Sequence, residues 1–373
     1  MTSLLPTEDE GMLRDMARGF LDDSAPVRAL RENRDHGRAW DPGLWREMAQ
    51  MGWAGVLVPE AAGGSDMGHR AAGILAEEMG VTLAATPFLS SAVLAATALR
   101  GAAHDRLAAI SSGELTYALA VDEGAKHAPA RTAMTAEAAG NGFCLTGRKC
   151  FVADGSSADR LLVLARTAGR PGEAQGLTLF DIEAGRAGLT RQVQATVDSR
   201  DHARIEFAGV EATGADVVGE VDGGLAALGP ALNAGQAAMA AELAGLSTGA
   251  FAMTAGYLKE RKQFGRTIGA FQALQHRAAH LWCEIEVTAS AIANAGRVLD
   301  DTPDEADLAV SLAKARAART ARQVVSEGVQ MHGGIGMTDD FDMGFYMKRA
   351  RVGAEWLGDY GYHAGRVAQA RGF

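Results

Sequence analysis

Apolar positions in the first third of the chain recur at helical spacing. Met12, Leu13, Met16 and Phe20 fall on one face of a helix, and a capping-box sequence begins before them at Thr7. The same spacing predicts three more helices. One contains Leu44, Trp45 and Met48, and the other two cover residues 71–79 and 88–99. Residues 1–115 are therefore predicted to form an all-helical domain.

The pattern changes to short β-type runs at about residue 116. Gly and Asp clusters separate these runs, which cover residues 115–121, 142–145, 160–165, 177–182 and 203–207. Short strands divided by turn residues are typical of a small antiparallel barrel or sandwich. Residues 116–221 are therefore predicted to form a middle β domain.

Helical spacing returns in the last part of the chain. Apolar residues recur three or four positions apart, at Leu243, Leu246, Ala250, Met253 and Tyr257. A second capping-box sequence begins at Thr302, with Pro303 at the first helical position, and predicts a helix that runs to about Met331. Long helices of this kind favour a four-helix bundle over residues 222–373. The predicted fold class is α+β, in the order helical, β, helical.

Composition and charge narrow the class of function. The chain has 373 residues and a formal charge of −10, which argues against a protein that binds duplex nucleic acid. Residues 223–241 carry no charge, but they are mostly Ala and Gly, which contribute little transfer free energy. They predict close packing of helices in a soluble protein, and we expect no membrane span.

Cysteine usage and the first residues indicate a cytoplasmic protein. Cys144, Cys150 and Cys283 form no CxxC pair, so we predict reduced thiols and no metal site. The first six residues lack a basic segment and an apolar core, so they do not predict a secretory signal.

A short basic turn interrupts the helices of the last domain. Gly265 and Gly269 bracket it, and it offers the guanidinium groups of Arg261 and Arg266 beside the aromatic ring of Phe264. Arginine presents a rigid fork of donors that suits phosphate, and an aromatic face suits a flat ring. The alternative is an ordinary helix connection with solvated basic residues.

A second motif follows the helix predicted to end near Met331. It reads Gln-Met-His-Gly-Gly-Ile-Gly-Met-Thr from Gln330 to Thr338. Glycines allow backbone N–H groups to approach a pyrophosphate closely. A Rossmann loop needs a strand before it, and here a helix precedes it, so a Rossmann fold is excluded. Taken alone, the motif is most often a helix C-cap.

Both motifs resemble the acyl-CoA dehydrogenase family. Arg-Lys-Gln-Phe-Gly at 261–265, followed by Ile268, Phe271-Gln272 and Gln275-His276, resembles the flavin-contacting turn of that family. The second motif resembles the family's Gln-x-x-Gly-Gly loop, which meets the FAD of a neighbouring subunit. The resemblance covers essentially the whole chain, because the order helical, β, helical is the order of the family's domains.

The resemblance implies an FAD site shared between subunits, in a dimer or a dimer of dimers. The positions that match FAD-binding positions of the family are Arg261, Gln263, Phe264, Phe271, Gln272, Gln330, Gly333 and Gly334. Phe151 stands where the family has an aromatic residue that covers the flavin, although a buried core Phe is the simpler interpretation. The family's Thr-Glu-Pro and Gly-Ser-Asp contacts are missing between Val121 and Pro129, where Glu123 alone is retained as an acidic position.

The implied reaction is FAD-dependent α,β-dehydrogenation of an acyl-CoA thioester, within fatty acid metabolism and with electron-transfer flavoprotein as the electron acceptor. The reaction needs a carboxylate base. The family's two positions for that base fall on Leu357 and near Gly235, and neither is acidic. The nearby candidates are Asp359 and Glu242. For these two acids, the alternatives are a helix cap for Asp359 and a buried hydrogen bond between helices for Glu242.

Three functional interpretations remain open. Leu357-Gly358-Asp359, followed by Tyr362-His363, resembles a subgroup that includes the small subunits of heteromeric acyl-CoA dehydrogenases, such as the pimeloyl-CoA dehydrogenase small subunit. The chain is then an enzyme subunit, and the base resides in this chain or in a homologous partner. The first alternative is a non-catalytic subunit that completes a partner's site. The second is a flavin monooxygenase or nitroalkane oxidase of the same fold.

Overall fold

The computed structural model describes residues 4–100 and 104–373. The helices are α1 Glu8–Ser24, α2 Val27–Asp35, α3 Pro42–Gln50, α4 Gly68–Thr82, α5 Ala96–Leu99, α6 His104–Ser111, α7 Gly224–Glu260, α8 Gln272–Asp301, α9 Ala306–His332, α10 Met343–Glu355 and α11 Tyr360–Ala370. The strands are β1 Tyr117–Ala120, β2 Thr135–Ala139, β3 Gly142–Ala153, β4 Arg160–Arg166, β5 Leu177–Glu183, β6 Leu189–Val193, β7 His202–Thr213, β8 Val217–Val218, β9 Lys262–Gln263 and β10 Arg266–Thr267. This order along the chain confirms the predicted fold class.

The residues group into two compact units. One contains Met1–Glu32, His69–Ala84 and Gln236–Phe373, and the other contains Asn33–Gly68 and Ala85–Gly235. The predicted division into three domains at residues 115 and 221 stays a prediction.

The second unit is built on an eight-stranded mixed sheet. The strand order is β6-β7-β3-β2-β4-β5-β8, with β1 added beside β4. Strand β4 pairs in parallel with β1 and β2, and the other pairs are antiparallel. Alternate side chains from these strands form one buried apolar cluster that includes Leu145, Val163, Phe180, Ile205 and Phe207. All five predicted strands are present. Strand β1 is shorter than predicted, and the other four are longer.

The first unit depends on a close crossing of α4 and α7. A Cβ atom added to Gly245 would lie 1.7 Å from the carbonyl oxygen of Glu77, and one added to Gly80 would lie 2.1 Å from that of Glu242. Side chains at these positions are therefore excluded by the backbone of the other helix. Gly245 of α7 and Gly80 of α4 therefore set the distance between the two helices.

We expect Gly245→Ala to lower the free energy of unfolding by about 2 kcal/mol, because the added methyl group forces the packed helices apart. Gly256→Ala is the matched control on the same helix. A Cβ at Gly256 meets no atom within 4 Å, so this change is expected to raise stability by up to about 1 kcal/mol through helix propensity. Urea denaturation of both variants checks the prediction, and equal effects would contradict it.

Of the two capping boxes that the sequence predicts, the structure contains the one at Thr7 and not the one at Thr302. Thr7 accepts a hydrogen bond from the backbone N–H of Glu10, whose side chain accepts one in return, so the predicted capping box is confirmed. Thr302 makes no such side-chain bond, and a 3₁₀ turn at Pro303–Glu305 precedes α9. Within residues 4–100 and 104–373, no helix combines the length and the apolar character needed to cross a bilayer.

Candidate functional site

The predicted basic turn after α7 is a two-residue β-hairpin. Strand β9 pairs with β10 so that Gln263 faces Arg266. The two residues between them, Phe264 and Gly265, have φ angles of 53° and 77°. Positive φ at both central positions is the geometry of a type I′ turn, which matches the twist of a hairpin. The turn places the ring of Phe264 in solvent, where it is 91% exposed.

The two arginines of the hairpin have different surroundings. The guanidinium of Arg266 lies over the ring of Phe271, 4.1 Å from its centroid, and Phe264 meets the same ring edge-on at 6.1 Å. Arg261 is exposed, and its guanidinium makes no hydrogen bond or ion pair within the described part of the chain. Arg261 is therefore available to an anion. Gln272, at the start of α8, is also exposed.

The glycine motif begins where α9 ends. Gly333 has a φ angle of 65° and opens a 3₁₀ turn over Gly333–Met337. A Cβ atom on Gly333 or Gly334 would meet nothing within 4 Å, and both residues are exposed, as is Gln330. The backbone at this turn is therefore open to close approach by a ligand, as a phosphate-binding loop requires.

An aromatic cluster joins the two motifs. Tyr257, one turn before Arg261, has its ring 4.5 Å from that of His332, which in turn lies 4.8 Å from the ring of Phe341. Burial lowers the pKa of His332, so its ring stays neutral at pH 7, with Nδ1 bonded to the carbonyl oxygen of Gly328 at 2.7 Å. The ends of α7 and α9 are thus held side by side, and the open turn and the available guanidinium follow directly from them.

Phe151 belongs to the other unit, on a bulge of β3. Cys150 and Phe151 face the single residue Arg204 of β7, and Phe151 has a φ angle of 52°. Its N–H donates to Oε1 of Gln194 at 2.8 Å. A bulge re-aims a side chain out of the sheet pattern, and the ring is 48% exposed. A core role for Phe151 is therefore excluded, and its proposed contact with a flavin stays a prediction.

The polar groups near the start of β2 are bonded to one another. Glu123 accepts hydrogen bonds from the backbone N–H groups of Ala133 and Met134 and from Nζ of Lys149, at 2.8–3.0 Å. His127 contacts the carboxylate of Asp122 at 2.9 Å. These bonds hold the segment between β1 and β2 against β3.

The two candidate acids have structural partners. Glu242 is buried and accepts two hydrogen bonds from the guanidinium of Arg349, at 2.6 and 3.1 Å. Asp359 caps α11 and accepts from the N–H of Tyr362 at 2.8 Å. These bonds agree with the structural alternatives for both residues. Their assignment to catalysis stays a prediction.

The family's usual base position carries a strained, buried leucine. Leu357 is 3% exposed and has a φ angle of 58°, which is rare for a residue with a bulky side chain. Its carbonyl oxygen accepts from Nε2 of Gln236 at 3.2 Å and contacts Nε2 of His363 at 3.1 Å. Gly235, the alternative position, is a buried residue of α7. Neither position supplies a titratable group.

The hairpin and the open glycine turn lie in the C-terminal helical part of a chain with the order helical, β, helical. Two family models match this chain. The model described as acyl-CoA dehydrogenase, N-terminal domain, matches residues 7–107, and that of the C-terminal domain matches residues 222–371. The chain belongs to the acyl-CoA dehydrogenase family, whose members are FAD-binding oxidoreductases that act on CH–CH groups.

Individual relatives span nearly the full chain. It is 30% identical to the acyl-CoA dehydrogenase IpdE2 of Mycobacterium tuberculosis, over 95% of this chain and 94% of the relative. It is 28% identical to a 3-(aryl)acrylate reductase of Clostridium sporogenes, over 94% and 95%. Among solved structures, the ChsE4–ChsE5 complex of Mycobacterium tuberculosis contains a chain with a TM-score of 0.89 and 26% identity, with 99% of each chain covered.

Proposed function

We propose that this chain is one subunit of an FAD-dependent enzyme that dehydrogenates an acyl-CoA thioester to the enoyl-CoA. The observation that carries the proposal is the pairing of the open Gly333–Gly334 turn with the available Arg261 at neighbouring helix ends. An exposed guanidinium beside an open glycine turn suits a pyrophosphate. Family membership identifies FAD as the cofactor that carries one.

Each residue has a specific part in this proposal. In an FAD site shared between subunits, Arg261 and the Gly333–Gly334 turn contact the pyrophosphate, with Gln263, Gln272 and Gln330 as further polar contacts. Phe264 and Phe271 offer aromatic surface to a flat part of the cofactor, and Phe151 covers the flavin. FAD, when bound, accepts the hydride that leaves the β-carbon of the acyl group. A carboxylate must take the α-proton.

The lack of an acidic residue at both of the family's base positions favours a heteromeric assembly. Leu357 is apolar and Gly235 has no side chain. The two candidate acids near those positions along the sequence, Asp359 and Glu242, are both engaged in structural bonds. A homologous partner that supplies the base resolves this difficulty, and one of the solved structures similar to this chain is named as a complex, ChsE4–ChsE5. A non-catalytic subunit that completes its partner's site is the second candidate function.

Glu242→Gln and Asp359→Asn, made separately, test whether the base is resident. We expect each variant to reduce its flavin with acyl-CoA within about threefold of the wild-type rate, since a partner supplies the base. Loss of a true general base typically slows a step by a factor on the order of 10²–10⁴. A loss of that size in stopped-flow flavin reduction, with flavin still bound, would identify the resident base and contradict the heteromeric proposal.

The remaining parts of the proposal concern context. We place the protein in the cytoplasm and in fatty acid metabolism, as a dimer or a tetramer that passes electrons to an electron-transfer flavoprotein. Purification separates the candidates. A yellow protein that acyl-CoA bleaches supports the enzyme, and a colourless chain that gains activity only with a co-expressed homologue supports the partner subunit. Oxygen consumption without an enoyl-CoA product would instead favour a monooxygenase or oxidase.

A further inference from the structure

A cavity of about 370 Å³ lies within the first compact unit. Its lining comes from the segment before α1 and from helices α1, α4, α7 and α8. We call it the N-terminal cavity, because Leu4, Leu5 and Pro6 form part of its wall. None of the residues assigned above to the FAD site or to the candidate bases lines it.

Small residues on facing helices leave this space open. Ala289, Ala293 and Gly296 follow one another at four- and three-residue spacing, so they lie on one face of α8. Gly73 of α4 and Ala237 of α7 also line the cavity. Each of these residues has at most one side-chain carbon, and the helices therefore keep a space between them that no side chain fills.

The larger residues of the wall are apolar. Ile74 of α4 is buried, and Ile292 of α8 is partly buried. Leu4 and Leu5 are 47% and 75% exposed and present apolar surface beside the cavity. A molecule with a hydrocarbon part would remove apolar surface of these side chains from water, which favours its binding.

The two guanidinium groups of the wall are neutralised within it. Arg70 donates to both carboxylate oxygens of Glu10, at 2.5 and 2.6 Å, and Arg14 donates to Glu77 at 2.8 Å. Glu10 also accepts from the backbone N–H of Thr7 at 2.8 Å. These bonds engage both arginines of the wall, so the cavity is not suited to an anion.

A third carboxylate of the wall has no such partner. Glu286 lies one turn before Ala289 and Ser290 on the same face of α8. It is exposed, and its carboxylate makes no ion pair or hydrogen bond within residues 4–100 and 104–373. His69 also lines the cavity at the start of α4, where its backbone N–H donates to Asp300 at 2.6 Å. Three carboxylates face two guanidinium groups, so a cation is the ligand charge that balances the wall.

We propose that the N-terminal cavity binds a small apolar amine, and that this site is independent of the proposed dehydrogenase reaction. The hydrocarbon part lies against Ile74, Ala289 and Ala293, and the ammonium group pairs with Glu286. The volume suits such a ligand, since an engineered apolar cavity of about 150 Å³ holds benzene and small-molecule sites begin at about 300 Å³. An unpaired carboxylate beside an apolar wall favours an amine over a fatty acid, whose charge has the wrong sign.

Titration calorimetry of the assembled protein tests the charge preference with three probes of similar size, which are naphthylmethylamine, naphthylmethanol and naphthoate. We expect the wild type to bind the amine about fivefold more tightly than the alcohol, the effect of one exposed ion pair, and to bind naphthoate most weakly. In Glu286→Gln the amine and the alcohol should bind equally. Glu305→Gln, which removes an exposed carboxylate before α9, is the matched control and should keep the preference.

A second substitution tests where the hydrocarbon part lies. Ala293→Leu puts a larger side chain into the cavity and should weaken binding of the amine and the alcohol alike, by about tenfold or more. Ala370→Leu, exposed at the end of α11, is its control and should bind all three probes as the wild type does. Thermal unfolding confirms that each variant is folded. Glu286→Gln changes only an exposed side chain, so the test holds even where Ala293→Leu does not fold.

Several results would overturn the proposal. They are no binding of the amine by the wild type at about 1 mM, equal affinity of the wild type for the amine and the alcohol, or unchanged binding by a folded Ala293→Leu variant. Displacement of the bound amine by an acyl-CoA would place the amine in the substrate site, which would also contradict a separate cavity.

Discussion

Arg261→Ala is expected to leave the assembled protein largely without flavin after purification. Arg261 has an exposed guanidinium with no partner in the described residues, directly after the last turn of α7. A bidentate pair between arginine and phosphate contributes about 1.5–3 kcal/mol, so its loss weakens FAD binding by a factor of about 10–150. The hairpin itself does not need this side chain, because its strands pair through the backbone and Arg266 packs on Phe271.

The measurement is flavin content per protomer, from visible absorbance, followed by titration of the apoprotein with FAD. Lys259→Ala is the control, since Lys259 is an exposed cation in the last turn of the same helix. It should keep wild-type occupancy because it removes charge without removing the fork. Wild-type occupancy in Arg261→Ala would show that the pyrophosphate does not lie at this hairpin, and the site would then have to be rebuilt from other residues.

Lys314→Met is expected to lower the free energy of unfolding by about 3 kcal/mol at pH 9, because buried carbonyl groups lose their donor. Lys314 is fully buried on α9. Its Nζ donates to the carbonyl oxygens of Gly353, Ala354 and Gly358, at 3.0–3.2 Å. It therefore ties the end of α10 and the Leu357–Gly358 turn to α9.

The effect of this substitution should depend on pH. Burial lowers the pKa of Lys314 from 10.5 to about 7, while Glu355 and Asp359 raise it and Arg349 lowers it. Between pH 7 and 10.5 the unfolded state then binds up to one more proton than the folded state. The wild type is stabilised as pH rises, by at most about 1.4 kcal/mol per pH unit. Below pH 7 both states are protonated and this contribution is constant.

Urea denaturation at pH 6 and pH 9 checks the sign. The loss caused by Lys314→Met should be small at pH 6, where the wild type carries a buried charge, and large at pH 9. Lys259→Met, which changes an exposed lysine, should show the same small effect at both values. An equal loss in Lys314→Met at pH 6 and pH 9 would show that Lys314 does not titrate in this range.

Most helices and strands could be predicted because the burial of their side chains leaves a regular pattern of apolar residues in the sequence. Strands β4 and β5 are almost fully buried runs, and the sequence predicts both. Strand β2 was missed, since Thr-Ala-Glu-Ala-Ala has little intrinsic strand preference and pairing with β3 decides its conformation. The segment Phe88–Ala95 was predicted as an ordinary helix. It is a π-helix, and its residues are all buried, so no face of the pattern reveals the difference.

The local conformation of the proposed cofactor site could not be predicted from the sequence. The assignment of Arg261 and the Gly333–Gly334 turn comes from the resemblance of their motifs and stays a prediction. The hairpin is not predicted, because Phe-Gly lacks the Asn-Gly signal of a type I′ turn and a positive φ is uncommon for a bulky residue such as Phe264. Lys314 was missed entirely. Its neighbours on α9 are mostly Ala and Arg, and nothing in that pattern indicates a lysine that faces inward.

The central part of the proposed function is a flavin in this protein that accepts electrons from an acyl-CoA. Anaerobic titration with acyl-CoA esters, together with any co-purifying homologous subunit, measures this directly through the visible absorbance of the flavin. We expect bleaching of the bound flavin and an equivalent amount of enoyl-CoA. A bound flavin that stays oxidised with every acyl-CoA tested, in the presence of the partner subunit, would contradict it.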